Sequence, residues 1–541
     1  DIIKRDANGN IIKDYKDVIT EKAKSDEGLF TVHTVEDKYY FEIPVDILER
    51  EVLVVSRIAG TVKGLNFGGA GMKSRPQQVI RWQKVGDQIL LRSVSYSSVA
   101  SYEEPIYKSV KSNNTEPIIM VFDIKAIKKD TSKTEQGYVI DVKPLFTTDV
   151  DMIGALSAGQ KRSFGITRLD SKRSMISSMR AFPENVEIRH ILTYDGSKLP
   201  ANFLTNTLTL EMNQSFVLLP EEPMKPRLYD NRVGYFSVST TDYSSTLQRA
   251  ATVRMITKWR LEPKDPEAYA KGELVEPVKQ IIYYIDPATP KQWVPFLKKG
   301  IEDWQPAFEA AGFKNAIIAK EAPTKEEDPD WSPEDVRYSV IRYISTDIQN
   351  AQGPHVHDPR TGEILESDIL WYHNVMNLLR NWYFTQTAAI NTAAQKANFR
   401  DEVMGELIRF VCAHEVGHTL GLPHNMGSSA AFPVDSLRSA SFTQRMGTAP
   451  SIMDYARFNY VAQPEDGDVR LMPMVGVYDK WSIKWGYAHL DNETAAEDAA
   501  ELNKWVVEKN GDWMYRYGMQ RSNPFDPSAQ TEDLGDDAMK A

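Results

Sequence analysis

The sequence is almost without cysteine, with one residue, Cys412, among 541. No internal disulfide can form, so each domain must be held by its apolar core or by a metal. Long apolar runs are missing too, and none approaches the roughly 18 residues that a transmembrane helix needs. Positive charge is in deficit: Lys and Arg number 64 against 75 Asp and Glu. The net charge of −11 argues against nucleic acid and anionic membrane surfaces as main partners. No signal peptide is visible, so the residues themselves are silent on export. Asp1 stands where an initiating Met would, which points to a removed leader or to a start inside a longer protein. Otherwise the balance of 42% hydrophobic and 26% charged residues is that of a globular chain long enough for two or more domains.

Histidine is scarce as well, nine in all, yet three of the nine stand in HEVGHTLGLPH, at His414, His418 and His424. The stretch lies near the end of an apolar run, DEVMGELIRFVCAHEVGHTLGL, that reads as a helix. His414 and His418, four apart, project from one helical face and can share a small cation. Gly421 can take the positive φ that ends the helix, and the turn brings back His424 as a third ligand. Three neutral imidazoles with a fourth position left for water describe a catalytic zinc site rather than a structural one. Zinc there lowers the pKa of bound water to about 7. Glu415, beside the metal rather than aimed at it, is placed to act as general base. The reaction implied is metal-assisted amide hydrolysis. Gly417, inside the helix, costs stability relative to alanine and so points to a close packing partner. Cys412, two residues before His414, reads as a buried small apolar residue, not a ligand.

HEVGHTLGLPH resembles the metzincin pattern H-E-x-x-H-x-x-G-x-x-H. SIMDY, at Ser451 to Tyr455, resembles the methionine turn that metzincins carry under the zinc. By that resemblance Met453 is the apolar floor beneath the histidines, and Tyr455 a residue that binds zinc or stabilises the oxyanion. GPHVHDPRTGEIL, SIMDYARFNYV and VYDKWSIKWGY are similar to the bacterial Met-zincin family, large secreted or envelope proteins of Gram-negative bacteria. Those proteins carry an N-terminal domain of unknown function ahead of the protease. The resemblance implies zinc, a peptide or protein substrate, and an extracytoplasmic location: periplasmic, outer-membrane-anchored or secreted. It names no particular substrate and no oligomeric state.

Taken in order, residues 1–30 form a polar, partly ordered segment with a turn at DANGN. From 31 to 265 short strand-like runs, TVHTV, KYYFEIP, EVLVVSRIAG, QVIRWQKV and others, predict a mainly antiparallel β-rich domain. A little helix is expected at 150–158 and 174–180. The glycine-rich 60–71 lacks G-x-x-x-x-G-K-[ST] and reads as a flexible loop. Pro223 to Phe236 reads as a loop-to-strand connection, or as a crossing toward the cleft. A Pro- and charge-rich stretch at 262–278 marks the boundary. From 275 to 541 strands and helices alternate, giving an α/β metzincin-like domain and an α+β chain overall. There Thr289 and Pro290 read as N-cap and N1 of a helix running to Gly312, and a long helix is expected from Asn374 to Lys396. Gly362 to Leu370 resembles the metzincin edge strand that pairs with substrate backbone. His355 and His357 share a strand face and raise a second metal site, and Glu326 to Asp330 a calcium loop. The histidine pair lacks a third donor, and a solvated charged loop is the better reading of the acidic stretch. NMGSSAAFPVDS after His424 reads as mobile, and the tail from Asn523 as frayed.

Two further functions stand beside the zinc endopeptidase. One is a catalytically quiet zinc-containing binding protein, against which an intact Glu415 argues. The other is a zinc hydrolase of a non-peptide amide, which would need a closed, small-molecule-sized pocket instead of an open groove.

Overall fold

Alternation of apolar and polar residues through the first half builds one antiparallel sheet. The computed structural model describes residues 12–62, 65, 71–200, 205–519 and 525–541. The DANGN turn and most of the glycine-rich loop at 60–71 lie outside the described residues. By its internal contacts the chain divides into two units. The first comprises Asp1–Glu221, Thr241–Ala251 and Glu334–Arg337; the second comprises Glu222–Thr240, Thr252–Pro333 and Tyr338–Ala541.

In the first unit twelve strands of the described residues form a single sheet, every pair of them antiparallel. Its ends meet: the Leu29 N–H donates to Phe182 O at 2.7 Å, and the Ala181 N–H to the Asp26 carboxylate at 3.0 Å. The sheet therefore curls around its inward face, where Phe30, Phe41, Trp82, Phe146 and Phe216 interlock. The helix expected at 174–180 is instead a strand, Met175–Ala181, paired with Asn185–Gly196. Two adjacent serines and the sheet edge offered by Asn185–Gly196 outweigh a weak helical pattern. At 150–158 there is only a 3-10 turn, Asp151–Ile153, and the true helix is Ala158–Ser163, started by a Ser157 capping box.

The second unit contains a five-stranded sheet in the order Ile317–Glu321, Ile281–Ile285, Ser339–Ile344, Ile369–Tyr372, Ala351–Gln352. The first four are parallel and the last is antiparallel. Nearly unbroken apolar runs such as IIYYI and ILWY suit strands covered on both faces. The edge strand beside Ile369–Tyr372 is thus Ala351–Gln352, and not the expected Gly362–Leu370. In that stretch Ile364–Glu366 turns away to pair with Val356–His357, and the chain then enters the sheet interior as Ile369–Tyr372, buried at all four positions. Pro354, which has no N–H to give, helps keep the edge short.

Prolines also correct the helices. The helix expected from Thr289 begins at Val294, breaks after Glu302, and resumes as Gln305–Ala310. Pro295 and Pro306 each lie at the start of a piece, where the missing N–H costs nothing. The long helix expected to Lys396 ends at Thr387, and Asn391 caps a separate 3-10 turn through its bond with the Ala393 N–H. The helix Val477–Tyr487 is followed by another at Ala495–Glu508, capped by Thr494. The Pro- and charge-rich 262–278 falls inside this unit. Its neighbours Ile256, Trp259 and Leu261 sit in the same core as the His414 helix, so its composition reflects a surface excursion and not a break between cores. Among the described residues no helix is long and apolar enough to cross a membrane.

Candidate metal centre and active site

The helix Asp401–Thr419 carries His414, Glu415 and His418, with Asp401 and Glu402 in its first turn, where acidic charge suits the helix dipole. Gly421, at φ +100°, turns the chain immediately after it. A Cβ there would lie 2.1 Å from Thr257 O, so the turn needs glycine for space as well as for conformation. The turn returns His424 to the helix face. Ligand atoms of the three imidazoles all lie within 4.8 Å of one another. The Nε2 atoms of His418 and His424 are 3.1 Å apart.

The second ring nitrogens fix the tautomers. His414 Nδ1 donates to Ile452 O and His418 Nδ1 to Leu422 O, both at 2.7 Å. A carbonyl can only accept, so each Nδ1 carries the hydrogen and each Nε2 presents a lone pair. Burial, reinforced by the neighbouring imidazoles, holds His414 well below its ordinary pKa and His418 down to about 3, so the rings are neutral donors. Two nitrogens bound to one tetrahedral zinc stand about 3.3 Å apart. The donor type, the spacing and the tautomers all fit that ion.

Beneath the helix runs Ser451–Tyr455. Met453 is buried, and Gly417 exists because of it: a Cβ on Gly417 would meet Met453 Sδ at 2.2 Å and Trp304 Cζ2 at 2.8 Å. The turn is pinned by Asp479, whose carboxylate accepts from the Ser451 hydroxyl (2.6 Å), the Ile452 N–H (2.8 Å) and the Gly476 N–H (2.8 Å). Tyr455 lies with its ring centre 4.3 Å from that of His424 and 5.6 Å from that of His414. Glu415 is buried, and burial pushes its carboxyl up to about 8 against the Gly353 N–H that donates to it. A cation among the imidazoles would favour its ionised form. Gly353 directly follows the edge strand, so that strand ends on Glu415.

Residues 396–541 match the family described as Met-zincin. In this stretch the chain is similar to Met-zincins. Together with the histidine cluster, the match supports a zinc metalloprotease in general terms. Residues 71–264 and 12–61 match two domains of unknown function, DUF5117 and DUF5118. No curated protein and no solved structure matches the chain.

Other expected positions fare differently. Among the described residues His414, His418 and His424 are the sole group of three or more donors close enough to hold a metal. His355 and His357 have ring centres 5.2 Å apart, and His355 Nε2 hydrogen-bonds Thr257 Oγ1 at 2.9 Å, with no third donor in range. Asp328 is occupied in capping the Asp330 and Trp331 N–H groups rather than in a calcium loop. Phe236, at the end of the 223–236 stretch, reaches the site: its ring centre is 6.0 Å from His418 and 5.8 Å from His355. The segment expected to be mobile after His424 is buried. Asn425 N–H donates to Met453 O, and Ser428 and Ser429 donate to Asp454. The tail expected to fray packs beside it, with Leu534 buried and the Asp536 N–H on Phe432 O. Cys412 is buried, with Sγ toward Leu297 O. Sequence reasoning missed Gly353, Asp479 and Arg457. Gly353 opens the quoted GPHVHDP run, and Asp479 sits three residues after Gly476 as a helix-start signal, so both were within reach.

Proposed function

We propose that the protein is a zinc-dependent endopeptidase, with zinc held by His414, His418 and His424 and with Glu415 as general base. The observation that carries this is Glu415: a buried carboxyl beside three convergent imidazoles, steadied by an N–H at the end of the edge strand. A site that only stored a cation gains nothing from such a group. Zinc bound there supplies a Lewis acid for the carbonyl and an acidified water. Glu415 takes a proton from the attacking water as its oxygen bonds to the carbonyl carbon. The same carboxyl then hands that proton to the amide nitrogen as the carbon–nitrogen bond breaks. The Tyr455 hydroxyl donates to the oxyanion in between. An extended peptide is a suitable substrate, because an edge strand offers backbone groups that accept a further strand with little demand on sequence.

Digestion of a mixed peptide library, read by mass spectrometry, tests the reading. Cuts made by the zinc-loaded wild type and absent with Glu415→Ala support it. Equal cleavage by both removes Glu415 from the chemistry, and zinc-loaded wild type that cuts nothing favours a binding protein.

A further inference from the structure

Two residues beyond Tyr455 the chain adopts a costly conformation. Arg457 has φ +55°, and Glu532 has φ +66°. Both carry long side chains in the left-handed region, where such residues are uncommon and are kept only when their surroundings demand it. The two are joined to each other. Arg457 Nε donates to Glu532 Oε1 at 2.9 Å and to Oε2 at 3.1 Å, and the Glu532 N–H donates to Tyr455 O at 2.9 Å. The guanidinium carbon lies 3.9 Å from the ring centre of Tyr455 and 3.9 Å from that of Trp382. For a charged side chain it is well covered, at 12% exposure. The connections close on themselves: Tyr455 carbonyl, Glu532 amide, Glu532 carboxylate, Arg457 guanidinium, Tyr455 ring.

We infer that Arg457, braced by Glu532, is a positioning residue that fixes the Tyr455 ring against His424. The inference rests on the peptidase reading above, in which the Tyr455 hydroxyl donates to the oxyanion. A phenol joined to the backbone by two rotatable bonds sweeps its oxygen through several ångströms. A donor useful in the transition state must instead be held at one spot beforehand. Stacking suits arginine, whose guanidinium is flat, and lysine supplies charge without the plane. The brace comes from Glu532, 75 residues further along the chain.

The test compares Arg457→Met, Arg457→Lys, Tyr455→Phe and the Arg457→Met/Tyr455→Phe double variant, each checked for zinc content. Arg457→Met is expected to lower kcat about 10- to 100-fold with KM within about twofold, as a misplaced catalytic group does. In the Tyr455→Phe background the same change should cost less than about twofold, because the group it positions is gone. Arg457→Lys should recover part of the loss. A second reading needs neither zinc nor turnover. In zinc-free protein labelled with 13Cζ-tyrosine, the resonance lost in Tyr455→Phe identifies Tyr455, and in Arg457→Met it should shift or broaden. Should Arg457→Met fail to fold, Glu532→Gln weakens the same brace with both side chains present. Losses that multiply in the double variant, or a Tyr455 resonance unmoved by Arg457→Met, overturn the inference. If the wild type cuts no peptide, the peptidase reading falls by itself, and the resonance alone decides whether Arg457 holds the ring.

Discussion

Replacing Gly353 by alanine would set a methyl group 2.2 Å from Glu415 O, 3.0 Å from its carbonyl carbon and 3.2 Å from His418 Cβ. A carbon–oxygen contact relaxes near 3.3 Å, so the strand end must retreat by about 1 Å. Nothing on the other side can yield cheaply, because the oxygen belongs to the backbone of the helix that holds His414 and His418. Overpacking of this kind costs about 2–3 kcal/mol. For a unit of this size that corresponds to a fall in melting temperature of roughly 3–5 °C. The retreat also pulls the Gly353 N–H from the Glu415 carboxylate, a bond to a charged group worth about 1.5–3 kcal/mol. A displacement near 1 Å at a reacting group costs on the order of 100-fold in turnover. The three imidazoles are untouched, so zinc content should stay near that of the wild type. Calorimetry, metal analysis and peptide cleavage on one preparation check all three effects. A Gly353→Ala protein with wild-type melting and turnover would refute the close approach of edge strand and Glu415.

Three other changes probe the supports. Gly417→Ala would stabilise an ordinary exposed helix by about 1 kcal/mol, but here the Met453 and Trp304 contacts should reverse the sign to a net loss of about 1–2 kcal/mol, read by thermal melting. Asp479→Ala strands the Ser451 hydroxyl and two N–H groups, loosens the Ile452 carbonyl that orients His414, and should weaken zinc binding about 10- to 100-fold in a chelator competition. In the first unit, His190 donates from Nδ1 to Phe146 O and accepts at Nε2 from Gln214, an arrangement open only to the neutral ring, and burial holds its pKa down to about 4. The unfolded chain therefore takes up that proton first as the pH falls. Stability from this group is complete above about 6.5 and is lost by about 3 kcal/mol on descending to 4. Glu187, raised to about 7 by burial, works in the opposite sense, losing stability as pH rises from about 4.5 to 7. Denaturant titrations of wild type and His190→Gln at pH 7 and pH 4 separate the two, and only the wild type should lose the His190 share.

The zinc pattern was legible because its geometry is local. One helix and one turn bring His414, His418 and His424 together, and Gly417 and Gly421 mark in the sequence where backbone or sulfur comes too close for a Cβ. The strands of the first unit were legible for a similar reason, since period-two runs such as TVHTV and QVIRWQKV specify one buried face. What escaped depends on partners distant in sequence. Gly353 matters only because an edge strand ends on Glu415, and Arg457 only because Glu532, far along the chain, stands beneath it. The strand at Met175–Ala181 has little β character of its own and follows its neighbour Asn185–Gly196. Pro295 and Pro306 were plain signals that the helix beginning at Thr289 could not be continuous. Trp293, Trp304 and Phe308 nonetheless recur at helical spacing across the break.

In the proposed reaction one zinc, held by three histidines, and Glu415 together hydrolyse peptide bonds. Titrating zinc into chelator-stripped wild type and Glu415→Ala, while following bound metal and cleavage of one peptide found in the library digest, tests it most directly. Both proteins should bind one equivalent. Wild-type turnover should rise in step with that equivalent and then level, and Glu415→Ala should stay at least about 100-fold slower throughout. Stoichiometric binding with turnover in neither protein, or with equal turnover in both, would contradict the account.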